Sequence, residues 1–195
     1  MKYYIMSKNY RRDVFFYPNN NQNLITQGYL ITNRPISQVP DIDELYYQID
    51  KIDNYIGKYD VLPTIGKTLV SRKMKTFLEE IAFDVCTFIP SIIEDKKGNI
   101  NSDFFTLDIA SIVDCFDMEK SEYSFDDERE YPYSVSYVRS VFFDYSKLGD
   151  YHIYKMINPG SIIVSEQFIK EARRRKIHQL AFIKEGSLLA PEYLE

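Results

Sequence analysis

Apolar residues recur at helical spacing in the stretch that precedes Gly57. Four of them lie at i, i+4, i+7 and i+11, the period of one helix face: Leu45, Ile49, Ile52 and Ile56. Asp41 precedes Glu44 by three residues, as in a capping box, and Gly57 follows the stripe as at a helix C-terminus. The pattern therefore predicts an amphipathic helix over residues 43–56.

A second pattern occurs twice along the chain, with an offset of 94 residues between Ser71 and Ser165. Each copy reads as a glycine turn, a short strand, a serine, a helix and a strand. The serine hydroxyl is placed to accept a backbone N–H at the start of the helix. The positions that match across the offset are Gly66 with Gly160, Met74 with Phe168, Leu78 with Ala172, Phe88 with Phe182 and Ile89 with Ile183.

Between the two copies the chain is rich in alternating and β-branched stretches, which are typical of strands. A further strand is predicted at the start, over residues 2–7. The sum is an α+β fold: a mainly antiparallel sheet with two or three packed helices and the internal repeat. A length of 195 residues predicts a single domain over 1–195, with a possible subdivision near residue 60.

Charge narrows the choice of partner. The chain has 24 basic and 29 acidic residues, a net charge of −5, which disfavours binding to nucleic-acid phosphates and favours a basic protein partner. Two cysteines are typical of a reducing compartment. The sequence has no signal-peptide core and no apolar run of 18 residues, so we expect a cytosolic protein with no membrane partner.

The acidity is concentrated in residues 114–130, the acidic segment. Its eight acids and two bases leave a net charge of −6, so the other residues together carry +1. Acids interleaved with tyrosines form a surface that pairs with Arg and Lys while supplying aromatic contact area. The alternatives are a solvated loop and a metal site at Asp114 and Asp117. The candidate partner-binding residues are Asp117, Glu119, Glu122, Tyr123, Asp126, Asp127 and Glu128.

Motifs that carry catalysis are weak or absent. Gly66-Lys67-Thr68 resembles the tail of a phosphate-binding loop, but Val61 stands where that loop needs its first glycine. Aspartates flank Cys115 and disfavour its thiolate. We therefore expect no enzyme activity and no cofactor. Two alternatives stay open: a metal-dependent hydrolase using Asp114, Asp117 and His152, and a regulatory module that self-associates through an aromatic face.

Six segments, in their order and spacing along nearly the whole chain, carry a family resemblance. They are the opening strand Met1-Lys2-Tyr3-Tyr4, Val70-Ser71, Phe88-Ile89-Pro90, Asp114 with Asp117-Met118-Glu119-Lys120-Ser121, Val164-Ser165 and Leu180-Ala181-Phe182. With these segments the chain resembles the bacterial immunity proteins of polymorphic toxin systems, a group once catalogued as a domain of unknown function and later grouped with an immunity protein from a myxobacterium. The resemblance implies a cytosolic protein that binds and neutralises a cognate toxin, and it implies no catalytic residues.

Overall fold

The structure, a computed structural model, describes residues 1–8, 15–19, 42–64, 66–125 and 135–188. Strands dominate this part of the chain, with two α-helices, so the predicted α+β class is confirmed. The strands are β1 (Tyr3–Lys8), β2 (Tyr17–Pro18), β3 (Leu45–Ile49), β4 (Val61–Leu62), β5 (Thr68–Ser71), β6 (Cys86–Asp95), β7 (Ile100–Ile109), β8 (Ile112–Val113), β9 (Glu122–Phe125), β10 (Val135–Ser140), β11 (Ile153–Met156), β12 (Ile162–Ser165) and β13 (Leu180–Lys184). The helices are α1 (Arg72–Ile81) and α2 (Glu166–Arg174), and single 3-10 turns cover Ile56–Lys58 and Tyr145–Lys147.

The chain divides into two compact units, each built from separate segments. Unit 1 comprises Met1–Asn9, Ser111–Glu171 and Ala181–Glu195, and unit 2 comprises Tyr10–Ala110 and Ala172–Leu180. That the whole chain forms one domain stays a prediction.

Unit 1 contains a five-stranded sheet in the order β13-β1-β12-β11-β8 and a two-stranded sheet of β9 and β10. β12 is antiparallel to both of its neighbours, and β8 runs parallel to β11. The buried cluster of this unit comprises Tyr3, Ile5, Cys115, Phe116, Val141, Phe143, Tyr154, Met156, Ile163 and Ile183.

Unit 2 contains a six-stranded sheet in the order β2-β3-β6-β7-β5-β4, antiparallel except where β3 runs parallel to β6. Helix α1 packs on β5, β6 and β7 and buries Met74, Phe77 and Leu78, three members of its apolar stripe. The buried cluster of this unit comprises Phe16, Leu45, Tyr47, Ile49, Ile56, Tyr59, Leu62, Leu69, Ile89, Ile93 and Phe104.

The helix predicted over 43–56 is wrong, because its first part is strand β3. Leu45, Tyr47 and Ile49 are buried and alternate with less buried neighbours, which is the period of a strand. The Tyr47 hydroxyl lies 2.9 Å from Thr106 Oγ1 inside the sheet. Pairing of β3 with β6 joins residues more than 40 positions apart, and a local helical spacing cannot reveal it.

The internal repeat is confirmed in both copies. Ser71 Oγ accepts the N–H of Met74 at 3.1 Å, and Ser165 Oγ accepts the N–H of Phe168 at 3.1 Å. Each serine therefore caps its helix, as the sequence predicts. Gly66 and Gly160, which precede the two strands, both have a positive φ, a conformation that favours glycine.

The repeat extends further than the sequence indicates. β4-β5-β7-β6 in unit 2 matches β11-β12-β1-β13 in unit 1, in the same spatial order. The registers also match, since Ser71 lies opposite Phe104 and Ser165 lies opposite Tyr3. In unit 2 the third of these strands follows the last along the chain, whereas in unit 1 the N-terminal strand occupies that place. The two units are thus circularly permuted versions of one four-stranded arrangement.

Candidate functional site

The acidic segment belongs to unit 1, where it follows β8 and includes strand β9. The structure describes it as far as residue 125. Asp126, Asp127 and Glu128 lie outside the described residues. The geometry of the predicted site therefore rests on Asp117, Glu119, Glu122 and Tyr123.

Asp117 holds a turn in place. Its Oδ1 accepts the N–H groups of Glu119 at 3.2 Å and Lys120 at 3.1 Å, and its Oδ2 lies 2.5 Å from Lys120 Nζ. The backbone is fixed as well, since the Asp117 N–H donates to the Phe142 carbonyl at 3.0 Å. The hydrogen bond from the Lys120 ammonium keeps the pKa of Asp117 below its ordinary value. With its side chain only 13% exposed, Asp117 shapes the surface more than it presents a charge.

Glu119 is the outward-facing acid of this turn. Its residue is exposed, and its carboxylate makes no ion pair within the described part of the chain. The Asp117 cap directs the backbone at this point, so Glu119 projects from an ordered turn rather than from an extended loop.

Glu122 and Tyr123 point to different sides of β9. The Glu122 carboxylate is exposed and pairs with Arg139 of β10 at 2.8 Å. The Tyr123 ring packs edge-on against Phe116, with centroids 5.3 Å apart, on the buried cluster of unit 1. Tyr123 therefore anchors the strand that carries Glu122.

The described part of the segment is less acidic than its composition indicates. Residues 114–125 contain four acids and one base, a charge of −3. Arg139, from outside the segment, pairs with one of these acids, and Lys120 pairs with another. Both pairs lie at the surface, where an ion pair contributes about 0–1 kcal/mol. Both side chains of the Glu122–Arg139 pair are exposed, so this pair is the more open of the two to exchange with another cation.

The geometry gives little support to the alternative of a metal-dependent hydrolase. His152 Nδ1 lies 2.8 Å from Ser165 Oγ, the hydroxyl that caps α2. Asp114, Asp117 and His152 do not form a ligand group, since the described residues contain no cluster of three or more His, Cys, Asp or Glu side chains able to hold a metal.

Both cysteines are buried and free. Burial raises the pKa of the Cys86 and Cys115 thiols to about 12, with nearby aspartates adding to the shift. Each side chain is therefore a thiol at neutral pH, which disfavours its use as a nucleophile.

A pocket in unit 2 was not predicted from the sequence. It has a volume of about 340 Å³ and is bordered by β2, β3 and the end of β6. Phe15 and Tyr17 line it together with Asp50, Glu94 and Asp95. In the sequence, residues 15–17 form a short apolar run without alternation, and only the sheet register assembles these side chains.

Comparison with known proteins identifies one family. The model of the Immunity protein family (Imm11) matches residues 2–187, which include both copies of the repeat and the whole acidic segment. No curated protein matches the chain. None of the helices in the described ranges has both the length and the hydropathy that a membrane-spanning segment requires.

Proposed function

We propose that this chain, which belongs to the Immunity protein family (Imm11), binds a cognate bacterial toxin in the cytosol and neutralises it by occlusion, without catalysing a reaction. The family match over residues 2–187 is the observation that carries the proposal. The partner is a protein with a basic surface, and neither nucleic acid nor a membrane is a partner.

The acidic segment is the proposed contact surface. Glu119 and Glu122 face outwards, while Asp117 and Tyr123 support them through the turn and the β9 strand. A basic toxin surface would be attracted to these carboxylates over the Debye length, about 8 Å at physiological ionic strength. Where the toxin acts on phosphates, the acidic segment would also compete with the substrate for the same cations.

The Glu122–Arg139 pair favours exchange on binding. Both side chains are exposed, so the pair is screened by water and contributes little to folding. An arginine of the toxin can replace Arg139 as the partner of Glu122 at small cost. The acids at 126–128 extend the same charge along the sequence.

Charge reversal tests the contact surface. We expect Glu119→Lys combined with Glu122→Lys to slow association with the toxin encoded beside this gene by on the order of ten- to hundredfold at low salt. The effect should shrink at high salt, since screening removes steering. Surface plasmon resonance at several salt concentrations measures the rate, and co-expression with the toxin measures protection.

A matched control reverses two exposed acids of unit 2, Asp84→Lys with Asp103→Lys, which changes the net charge equally. If both double variants bind and protect alike, the acidic segment is not the contact surface. If the unaltered chain binds no product of a neighbouring gene, immunity by toxin binding is itself wrong.

A further inference from the structure

The pocket in unit 2 is built by a row of side chains across three strands. Tyr17 of β2 lies opposite Gln48 of β3, and Gln48 lies opposite Glu94 of β6. Residues in register point to the same side of a sheet, so these three side chains share its outer face. The inner face of the same strands is the buried core, with Phe16, Tyr47 and Ile93 among its members.

Two aromatic side chains at this pocket are about half exposed to solvent. Phe15 is 47% exposed and Tyr17 is 49% exposed, although both are large enough to be buried in a core. They flank Phe16, which is fully buried and whose N–H donates to the Pro63 carbonyl at 2.9 Å. The rings are therefore held on a fixed strand, with open faces that a ligand can reach.

The polar lining is predominantly anionic. Among the described residues that line the pocket, the Asp50 and Glu94 carboxylates face one ammonium group, that of Lys96. Asp95 accepts hydrogen bonds from Asn99, Ile52 and Lys97, which lower its pKa to about 2. Asp95 is buried and lies opposite Ile49, so it adds a negative charge near the pocket but no group that a ligand can contact.

The pocket already accepts a cation from the chain itself. Lys96 Nζ lies 2.6 Å from an Asp50 carboxylate oxygen, and both side chains are 77% exposed. So exposed a pair is weakly held and is exchanged at little cost. It marks Asp50 as an acceptor that can turn to an incoming cation.

A guanidinium group suits this combination. It stacks on aromatic faces and binds carboxylates through two parallel N–H bonds, whereas an ammonium group is a compact, strongly hydrated charge that does neither as well. An anion would be repelled by the Asp50 and Glu94 carboxylates, and an apolar ligand would desolvate them without compensation.

We propose that this pocket receives an arginine side chain of the toxin, which makes it a second contact site, separate from the acidic segment. The proposal rests on the proposed function for the source of the arginine. The recognition itself depends on Tyr17, Asp50 and Glu94 and can be measured without a toxin.

The first experiment titrates the full chain with N-acetyl-arginine amide and follows backbone amide shifts by NMR. The matched probe is N-acetyl-citrulline amide, which has nearly the same shape and no charge. We expect saturable shifts at residues 17, 48, 50 and 94 with the arginine compound and none with citrulline. Equal shifts with both compounds, or none with either, would overturn the proposal.

The second experiment uses the toxin. Tyr17→Ala with Asp50→Asn should weaken binding by about tenfold, the loss of one aromatic stack and one charge-assisted contact. The matched control is Tyr55→Ala with Asp103→Asn, an exposed tyrosine and an exposed acid of the same unit that do not line the pocket. Circular dichroism confirms that each variant is folded.

The outcomes separate the two proposals. Equal affinity of pocket variant and control, with strong binding by the unaltered chain, would overturn the pocket and leave the proposed function intact. No binding of any toxin by the unaltered chain would overturn the proposed function, and the amide titration would still decide whether the pocket recognises arginine.

Discussion

The two units share one arrangement of strands and a serine that caps the helix after it, but they support the serine with different chemistry. In unit 2, Ser71 donates its N–H to the Asp60 carbonyl at 2.9 Å and its hydroxyl to the Asp60 carboxylate at 2.7 Å. In unit 1, Ser165 donates its N–H to the His152 carbonyl at 3.0 Å, and its hydroxyl lies 2.8 Å from His152 Nδ1. Asp60 and His152 are equivalent positions that directly precede β4 and β11.

Asp60 and His152 differ in the number of hydrogen-bonding partners that each side chain has. Asp60 is buried and also accepts the N–H of His178 at 2.7 Å, with Lys73 Nζ at 3.5 Å. His152 is half-buried and contacts the cap serine. In unit 2 the Asp60 carboxylate thus accepts hydrogen bonds from several donors, whereas in unit 1 the His152 imidazole contacts the hydroxyl of Ser165. The shared fold sets the position of this residue, and its chemistry varies between the units.

Among the substitutions that test this comparison, those of equivalent core residues have the largest expected effect on stability. Leu69 and Ile163 occupy matching positions of β5 and β12, and both are fully buried. We expect Leu69→Ala and Ile163→Ala each to lower the free energy of unfolding by about 3 kcal/mol, because each leaves a cavity in its cluster. Urea unfolding followed by circular dichroism measures the loss.

Hydrogen exchange then shows where each substitution acts. Leu69→Ala should reduce amide protection mainly in the strands of unit 2, and Ile163→Ala mainly in those of unit 1. Uniform loss of protection throughout the chain with either variant would contradict the treatment of the units as separate cores.

The supports of the two caps give a smaller and unequal effect. Asp60→Ala should cost about 2–3 kcal/mol, because it leaves the Ser71 hydroxyl and the His178 N–H without their acceptor. His152→Ala should cost about 1 kcal/mol, since it removes one hydrogen bond at a half-buried site. The difference between the two urea midpoints is the measurement. Equal costs would mean that the additional donors of Asp60 contribute nothing.

Local features of this fold could be predicted from the sequence, and long-range ones could not. The cap serines and the stripe of α1 are encoded within about ten residues, so the repeat is visible in the chain itself. Strand β3 was missed because its apolar positions fit two periods, and only pairing with β6 decides between them. The match of β1 with β7 is hidden as well, since circular permutation moves it to the other end of the sequence.

The candidate site, too, has local features that could be predicted from the sequence and long-range features that could not. The sequence predicts the charge of the acidic segment, whereas the turn that Asp117 holds was not predicted and is known from the structure. Arg139 reaches Glu122 from a neighbouring strand, so its neutralising effect requires the sheet. The pocket requires three strands in register, and its lining residues come from three separate parts of the chain.

Two capped turns, one in each unit, give the last and smallest comparison. Asp95 accepts the N–H groups of Lys97 at 2.8 Å and Asn99 at 3.0 Å and a further bond from the Asn99 side chain. Asp117 accepts the N–H groups of residues 119 and 120 and a bond from the Lys120 ammonium. The turns differ in their side-chain donor, which is neutral in unit 2 and cationic in unit 1.

Both carboxyl groups have a lowered pKa in the folded chain, about 2 for Asp95 and below its ordinary value for Asp117. A depressed folded pKa contributes stability above the unfolded value, near 3.9, and loses it as the pH falls through the folded value. For Asp95 this window runs from about pH 4 down to about pH 2. In the Asp95→Asn variant, the urea midpoint should decrease less between about pH 4 and about pH 2 than in the unaltered chain. Asn99→Ala removes the main hydrogen-bond donor to Asp95, so this variant should show part of the same effect.

Salt distinguishes the two turns. At about 1 M salt the Debye length is about 3 Å, which screens the charge of the exposed Lys120 ammonium beside Asp117 but leaves hydrogen bonds between a carboxylate and neutral donors in place. The pH dependence that Asp117→Asn removes should therefore shrink in 1 M salt, while that removed by Asp95→Asn persists. Equal shrinkage for both variants would mean that the pKa of Asp95 is set by the charge of the protein as a whole rather than by the donors of its own turn.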